Sequence, residues 1–369
     1  VDRDGGWSLV ATEAGGRVEA AESPAPMRGS DEYLCVDEFL ADSASARALA
    51  TALELGVIDL LAGSGGASVE EVRARCVGEP QGTALLCELL AAAGVVRRAG
   101  ERVELSPAFG RALRYRDLLE AKLEFAHWAA LDYAVLLTAL VKHPEEFQRR
   151  ARIFDLFNYG RCTDFSPENL ARTRHWMRIT TALTRYETAA CLRHHEFERH
   201  RHLLDIGGNS GEFALQVCRR QPQIRATVFD LPLVCRIGEE HLRSQPEAGR
   251  IDFVPGNALT DPLPPGCDLI AFKSMLHDWP DAQAERLLGR AAGALRPGGT
   301  ILVFERAPVR VPAGGVPPWL MPFLLFFRSF RAPEFYAARL TALGLQAVRI
   351  QTVPLDMPFS LVTGLKPAG

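Results

Sequence analysis

The stretch at residues 202–211, HLLDIGGNSG, constrains this chain more than any other. A short apolar run meets a glycine cluster, and the helical pattern GEFALQVCRRQ follows at once. Downstream, ATVFDLP, IDFVPGN, DLIAFKSMLHD and GGTILVFER read as strands, and VCRIGEEHLRSQ and AERLLGRAAGAL as helices. Strands alternating with helices at this spacing predict parallel β-α-β units and a sheet covered on both faces. PEFYAARLTALG then reads as a helix, and LQAVRIQTV and FSLVTGLKP as two strands that close the sheet with a mixed edge. The expected fold class is α/β, a Rossmann-like domain with a mostly parallel sheet.

The chain upstream has a different texture. Residues 1–30 are rich in Gly, Glu, Ala and Ser with little apolar periodicity, and read as a loose arm. The first residue is Val, so the native start is not fixed by the sequence. From Asp31 the pattern is helical. In ALATALELGVIDLL an apolar stripe runs through Ala48, Leu49, Leu53, Leu55, Ile58, Leu60 and Leu61, and Gly56 interrupts it. Ser68 with Glu71 forms a capping box, so SVEEVRARC starts a helix. TALLCELLAAAGVV is a further apolar helix, and VVRRAGERVELS reads as a hairpin around Ala99-Gly100. Three helices and a small hairpin give the layout of a winged helix. Long helices are predicted over roughly 117–142 and 167–195. The expected division is a 1–30 arm, a mainly helical winged-helix-like domain over 31–170, and the α/β domain over 171–369.

Composition narrows the function classes. The 42 basic and 45 acidic residues give a net charge of −3, which argues against a generally basic, nucleic-acid-binding surface. VEEVRARC and TALLCELLAAAG are too acidic or too apolar for a DNA recognition helix. Burial of these helices against a second copy, in a homodimer, fits better than a DNA-binding regulator. Uninterrupted apolar runs are far shorter than the ~18 residues of a membrane span, so none is expected. No basic segment followed by an apolar one marks a signal peptide. The eight cysteines contain no C-x-x-C pair and read as buried, reduced thiols, which points to a cytoplasmic protein.

The glycine turn indicates the ligand. Gly207, Gly208 and Gly211 let the backbone approach a ligand closely. Asn209 stands where a G-x-G-x-x-G fingerprint needs glycine, so a dinucleotide pyrophosphate fits less well, and no G-K-[ST] follows. Asp230, at the end of the second strand, lies about 20 residues beyond the turn, where an acid accepts hydrogen bonds from ribose hydroxyls. Asp205 before the turn suits a cationic group better than a phosphate. A ribose, a positive end and no phosphate describe S-adenosylmethionine.

The series LLDIGGNSGEF, VFDLP, VPGNAL, FKSMLHDWPD and ALRPGGTILVFE resembles the class I S-adenosylmethionine-dependent O-methyltransferases of small-molecule metabolism. The resemblance covers about residues 31–369. It is nearest to bacterial natural-product and plant caffeate-type enzymes with an N-terminal dimerisation domain. It implies that Gly207 and Gly208 line the cofactor cleft, with Asp205 by the methionine portion, Asp230 on the ribose and Leu231 beside the adenine. Lys273 and Ser274 fall at the end of the fourth strand, near the cofactor. Met177 and Thr181 match the family's M-x-x-x-S, which puts Thr181 on the cofactor carboxylate. Two positions depart from the pattern. Asn257 replaces the Asp that contacts the adenine amine, and Ala258 replaces a larger side chain beside it.

Methyl transfer to a phenol, whose pKa is near 10, needs an aligned acceptor and a base. His277, after the fourth strand, is the candidate base, because a neutral imidazole accepts a proton near neutral pH. Glu305 ends the next strand, where the family places an acid that orients this ring; Asp278 is the alternative orienter. Phe330 stands where plant relatives carry a second acid before Arg331, and Glu334 belongs to an outer helix. The candidate acceptor contacts are Met177, Trp128 and Phe327. Trp128, like Tyr133, could line the pocket from the middle helix, although helix packing is the favoured reading of both. Phe327 ends WLMPFLLFF, which reads equally as a pocket wall or a plain core helix. RHHEFERHRH, residues 193–202, reads as a solvated helix end and linker rather than a metal cluster, and no metal is expected. The expected activity is methyl transfer to a hydroxyl of a small aromatic metabolite, leaving S-adenosylhomocysteine. The alternative is an enzyme on the same scaffold that decarboxylates, hydroxylates or catalyses a pericyclic step.

Overall fold

The computed structural model describes residues 31–368, so the predicted loose arm at 1–30 lies outside the described residues. A 3-10 helix, Glu32–Leu40, leads into α1 (Ser43–Glu54), α2 (Val57–Ser64), α3 (Val69–Cys76) and α4 (Pro80–Ala92). Local chemistry sets these boundaries. The Asp42 carboxylate accepts from the Ala44 and Ser45 amides and so starts α1. Gly56 ends the stripe at φ +71°, a left-handed conformation that a Cβ there would pay for by striking the Arg75 guanidinium. Ser68 and Glu71 bond reciprocally as the capping box predicts. The strands β1 (Ala67–Ser68), β2 (Val96–Ala99) and β3 (Arg102–Leu105) form a small antiparallel sheet of order β1-β3-β2. This is the winged-helix layout that the sequence predicted.

α5 (Pro107–Ala112), α6 (Arg116–Lys142), α7 (Pro144–Arg150) and α8 (Ile153–Leu156) follow, then the 3-10 helix Tyr159–Thr163 and the long α9 (Pro167–His194). α5, α7 and α9 each begin on proline, whose missing N–H is no loss in a first helical turn. The stretch Pro107–Lys142 is long and apolar enough, by length and composition alone, to cross a membrane. The uninterrupted-run criterion missed it because single charges break the runs without lowering the average much. One of those charges, Lys122, is buried between the carboxylates of Asp37 (2.6 Å) and Asp356 (2.9 Å). The helix places Leu118, Leu119, Leu123 and Ala126 in the core of the helical part.

The large sheet has seven strands: β4 (His202–Ile206), β5 (Arg225–Asp230), β6 (Ile251–Pro255), β7 (Leu269–Lys273), β8 (Thr300–Arg306), β9 (Gln346–Val353) and β10 (Phe359–Leu365). Their order is β6-β5-β4-β7-β8-β10-β9. The first five in that order are parallel, whereas β10 runs antiparallel to β8, and β9 to β10, which is the mixed edge expected. α10 (Glu212–Arg220), α11 (Pro232–Leu242), α12 (Asp281–Ala294), α13 (Met321–Leu325) and α14 (Pro333–Ala342) complete the part. Separate apolar cores, one around Leu203, Phe213 and Val228 and one around Leu204, Phe272 and Leu288, cover opposite faces of the strands. β7 is buried at every position, as a central parallel strand must be. Strand order reverses between β4 and β7, and the crevice at such a reversal is where open α/β sheets bind ligands.

All eight cysteines are free and seven are buried, in keeping with their reading. The histidine-rich segment is corrected in part. His200 is buried and His195 half-buried: their rings stack, with Nε2 atoms 3.0 Å apart. Burial, and then the charge of His200, pushes His195 down to about 4. The intervening Phe197 is fully buried and draws the pair inward with it.

Candidate active site

A cavity of about 380 Å³ opens over the carboxyl ends of β4, β5, β7 and β8. Its floor is the glycine turn. Gly207 has φ +69°, and a Cβ there would lie 2.5 Å from the Met275 side chain. A Cβ on Gly208 would strike the Asp205 carboxylate, so the turn admits no side chain at either position. Asn209 takes φ +54° and donates its N–H to Asp230 Oδ2 (2.8 Å), while the Leu231 amide donates to Oδ1 (2.7 Å). Two backbone donors thus fix the Asp230 carboxylate at the cavity edge, with lone pairs to spare. Burial raises it to about 6. Asp205 is buried behind the turn with Oδ2 unpartnered, and burial, then the charge of Asp230, raises it to about 7. Thr181 donates to Ser210 Oγ (2.7 Å), which ties α9 to the turn.

The next strand tip carries His277. β7 ends in a kink at Ser274 (φ +50°), whose hydroxyl is buried and unpartnered. Glu305, on the adjacent tip of β8, organises the turn that follows. Its Oε1 accepts from the Met275 and Leu276 amides, both at 2.7 Å. Its Oε2 lies 2.7 Å from His277 Nδ1. An ionised carboxylate there requires a proton on Nδ1, which leaves the lone pair on Nε2. Asp278 Oδ1 is 3.5 Å from Nε2, and Asp278 Oδ2 accepts from the Tyr159 hydroxyl (2.7 Å). Burial alone would lower the His277 pKa, but the charges of Glu305 and Asp278 outweigh it and raise the group above its ordinary value. Glu305 is held below its own, because His277 and the two amides outweigh its burial. Phe330 lies against the imidazole, ring centres 5.2 Å apart, and Arg331 donates to the Leu276 carbonyl (2.9 Å). Glu334 is exposed on α14, as expected.

A third group closes one side. Lys273 Nζ donates to Thr184 Oγ1 (2.9 Å) and pairs with Glu187, which also pairs with Arg306. Opposite stands an aromatic wall of Phe125, Phe157, Trp176, Phe323, Phe326 and Phe330.

The sequence-predicted residues divide clearly. Gly207, Asp230, Leu231, Asn257, Ala258, Lys273, Ser274 and His277 all line this cavity. Asp205, Gly208, Thr181 and Glu305 sit directly behind it. Lys273 is already committed to Thr184 and Glu187, and the Asn257 side-chain oxygen already accepts from the Leu259 amide (2.9 Å). The three candidate acceptor contacts are corrected. Met177 turns away into a cluster with Leu233 and Val234, while its neighbour Trp176 faces the cavity. Phe327 is 48% exposed, one residue beyond the lining Phe326. Trp128 lines a separate depression. Tyr159, Glu187, Arg306 and the wall residues Phe125, Phe157 and Trp176 were missed, whereas WLMPFLLFF, read equally as pocket wall or core helix, supplies Phe323 and Phe326. Arg306 beside Glu305 was the available signal; nothing local marks the others.

Family models match two segments: an O-methyltransferase dimerisation domain at residues 38–110 and an O-methyltransferase domain at 146–316. The N,N-dimethyltransferase OxyT of Streptomyces rimosus is 31% identical over 281 residues, 70% of this chain and 74% of that protein. The chain belongs to the O-methyltransferase family. The tetracenomycin polyketide synthesis 8-O-methyl transferase TcmO of Streptomyces glaucescens is also 31% identical, over 70% of this chain and 74% of its own length. Human N-acetylserotonin methyltransferase shares the fold, with TM-score 0.70 at 22% identity over 95% of this chain and all of that one. This methyltransferase uses S-adenosylmethionine, and its cavity fits that group. The glycine turn leaves no room for side chains, and an orphaned, buried carboxylate oxygen on Asp205 lies where a cation would satisfy it.

Proposed function

We propose that this methyltransferase methylates a phenolic hydroxyl of an aromatic natural product, with His277 as general base and Glu305 as the residue that orients it. One observation carries this reading: Glu305 Oε2 lies 2.7 Å from His277 Nδ1, in a cavity with an aromatic wall. S-adenosylmethionine supplies, when bound, an electrophilic methyl group on a sulfonium. Asp230 holds its ribose, Asp205 and Thr181 its methionine end, and Leu231, Asn257 and Ala258 its adenine, with Gly207 and Gly208 giving room and Lys273 and Ser274 closing the site. The aromatic wall holds a planar acceptor and excludes water from it. His277 Nε2 takes the proton from the acceptor hydroxyl as the new carbon–oxygen bond forms. Glu305 keeps Nδ1 protonated and stabilises the resulting imidazolium.

The enzyme acts as a homodimer built on the helical part of residues 31–170, with the catalytic part over 171–369. The matched dimerisation domain and the exposed apolar side chains Leu131, Val135 and Val141 on α6 support this. Its eight free thiols support work in the cytoplasm.

The similarity to OxyT, an N,N-dimethyltransferase, favours a second reading, in which the acceptor atom is an amine nitrogen. Incubation with methyl-labelled S-adenosylmethionine and matched panels of phenols and aryl amines tests both. Label in an aryl ether that is lost in His277→Ala supports the first. Label only in amines supports the second, and turnover without label removes both.

A further inference from the structure

Trp128 left the acceptor site for a separate depression of about 480 Å³, and the company it keeps there is unusual. Five arginines, Arg149, Arg150, Arg152, Arg161 and Arg172, share the concavity with it, and Asp155 is the single carboxylate lining it among the described residues. The arginines are unequally neutralised. Arg150 pairs with Glu146 (2.5 Å), and Arg172 lies 3.6 Å from Asp155 and 3.4 Å from Glu168. The nearby His175 is taken by Glu124. Arg149 and Arg152 have no ion-pair partner among the described residues.

Arg161 is the decisive member. It is only 9% exposed, yet no carboxylate lies within ion-pair distance of it among the described residues. Its guanidinium donates to the backbone carbonyls of Asp155 (2.8 Å) and Leu156, and Nε has no partner. A buried cation without a counter-charge is costly, and like charges gathered around it add repulsion. Arg149 and Arg152 are exposed and solvated, so the cost falls on buried Arg161, and an anion bound in the hollow offsets it.

We propose that this depression binds a phosphorylated aromatic ligand of the nucleoside diphosphate class. Guanidinium forks match phosphate oxygens in pairs, and five arginines set against the carboxylates of Glu146, Asp155 and Glu168 leave two surplus positive charges, which suit a diphosphate better than a monocarboxylate. The half-buried indole of Trp128 offers an apolar face on which a base stacks. The site is distinct from the methyl-transfer cavity. The segment at residues 155–161 walls both: Asp155, Leu156 and Arg161 face this depression, and Phe157, Tyr159 and Gly160 face the other. The inference is independent of which acceptor atom is methylated.

The test is calorimetry on the full chain saturated with S-adenosylhomocysteine, so that the cleft over the strand tips is blocked, with ADP as the probe at low salt. ADP binds at least about tenfold tighter than adenosine or inorganic diphosphate, and its affinity falls as salt rises. The double variant Arg149→Ala/Arg152→Ala, both at exposed positions, weakens ADP at least about tenfold and leaves the S-adenosylhomocysteine heat unchanged. Trp128→Leu removes the preference of ADP over inorganic diphosphate. Absence of ADP heat at millimolar concentration, displacement of ADP by S-adenosylhomocysteine, or ADP affinity untouched by the double variant overturns the proposal.

Discussion

The two sides of the cavity are built in different ways. The strand-tip side is polar and assembled from short consecutive motifs: the glycine turn after β4, Asp230 at the end of β5, the 273–278 turn after β7, and Glu305 near the end of β8. The wall is aromatic and assembled from α6, the 157–159 segment, α9 and the 323–330 segment, which meet only in the folded chain. The strand tips are braced by backbone hydrogen bonds at 2.7–2.8 Å, as at Asp230 and Glu305, whereas the wall is held by ring packing such as Phe154 on Phe326 and Phe125 on Phe323. Direction is fixed on one side and only shape on the other. On the proposed function, chemistry belongs to the strand tips and acceptor choice to the wall, and substitutions should separate the two.

The largest effect is expected at the strand tips. His277→Ala lowers turnover by about a hundredfold or more, the lower range of what a positioned base contributes. Cofactor affinity, read by calorimetry, stays the same. Equal losses in both would make His277 a structural residue. Asp230→Ala gives the opposite split. It removes the half-buried carboxylate that two amides orient, so cofactor affinity falls by roughly ten- to a hundredfold, the worth of hydrogen bonds to a charged group. Unchanged affinity would take Asp230 off the ribose.

Glu305→Gln sharpens the assignment through pH. His277 accepts a proton only when neutral, so the rate rises with pH through its pKa, which Glu305 and Asp278 hold above the ordinary value against burial. Removing the Glu305 charge lowers that pKa. The rising limb moves to lower pH, while the plateau drops by about tenfold because the tautomer is no longer enforced. A limb that stayed in place would assign the titration to another group.

This division also explains what the sequence could disclose. Asp205, Gly207, Asp230 and His277 were legible because each sits at a strand end, and an alternating β-α pattern brings strand ends together; Glu305, also at a strand end, was singled out by the family resemblance. The winged-helix layout was legible from caps and turns: Ser68 with Glu71, Gly56, and the Ala99-Gly100 hairpin. The wall was not. In WLMPFLLFF nearly every residue is apolar, so no stripe tells the inward face from the outward one, and Phe327 was preferred where Phe326 lines the cavity. Met177 was chosen from the M-x-x-x-S resemblance, whereas its neighbour Trp176 is the residue that lines the cavity. Tyr159 and Glu187 depend on contacts with residues 119 and 86 positions away, which no local pattern encodes.

On the wall, Phe326→Ala raises the acceptor KM by roughly five- to tenfold, in line with the loss of a largely buried ring, with little change in cofactor affinity. Phe327→Ala, one position on and half exposed, leaves both parameters unchanged. A reversed result would mean that the acceptor approaches from outside the cavity described.

The smallest effect tests the seam between the two sides. Tyr159 belongs to the wall's segment, but its hydroxyl holds Asp278, whose other oxygen lies 3.5 Å from His277 Nε2. Burial raises the Asp278 pKa, while the charge of His277 and the Tyr159 hydrogen bond oppose it. In Tyr159→Phe that opposition weakens, Asp278 carries less charge at a given pH, and the imidazole loses part of its electrostatic support. The pH limb then shifts downward in the same sense as in Glu305→Gln but by less, and turnover falls about two- to fivefold, a fraction of the worth of a hydrogen bond to a charged group, because Tyr159 acts on the imidazole only through Asp278. A shift larger than that of Glu305→Gln would reverse the ranking and make Asp278, through Tyr159, the principal partner of the base.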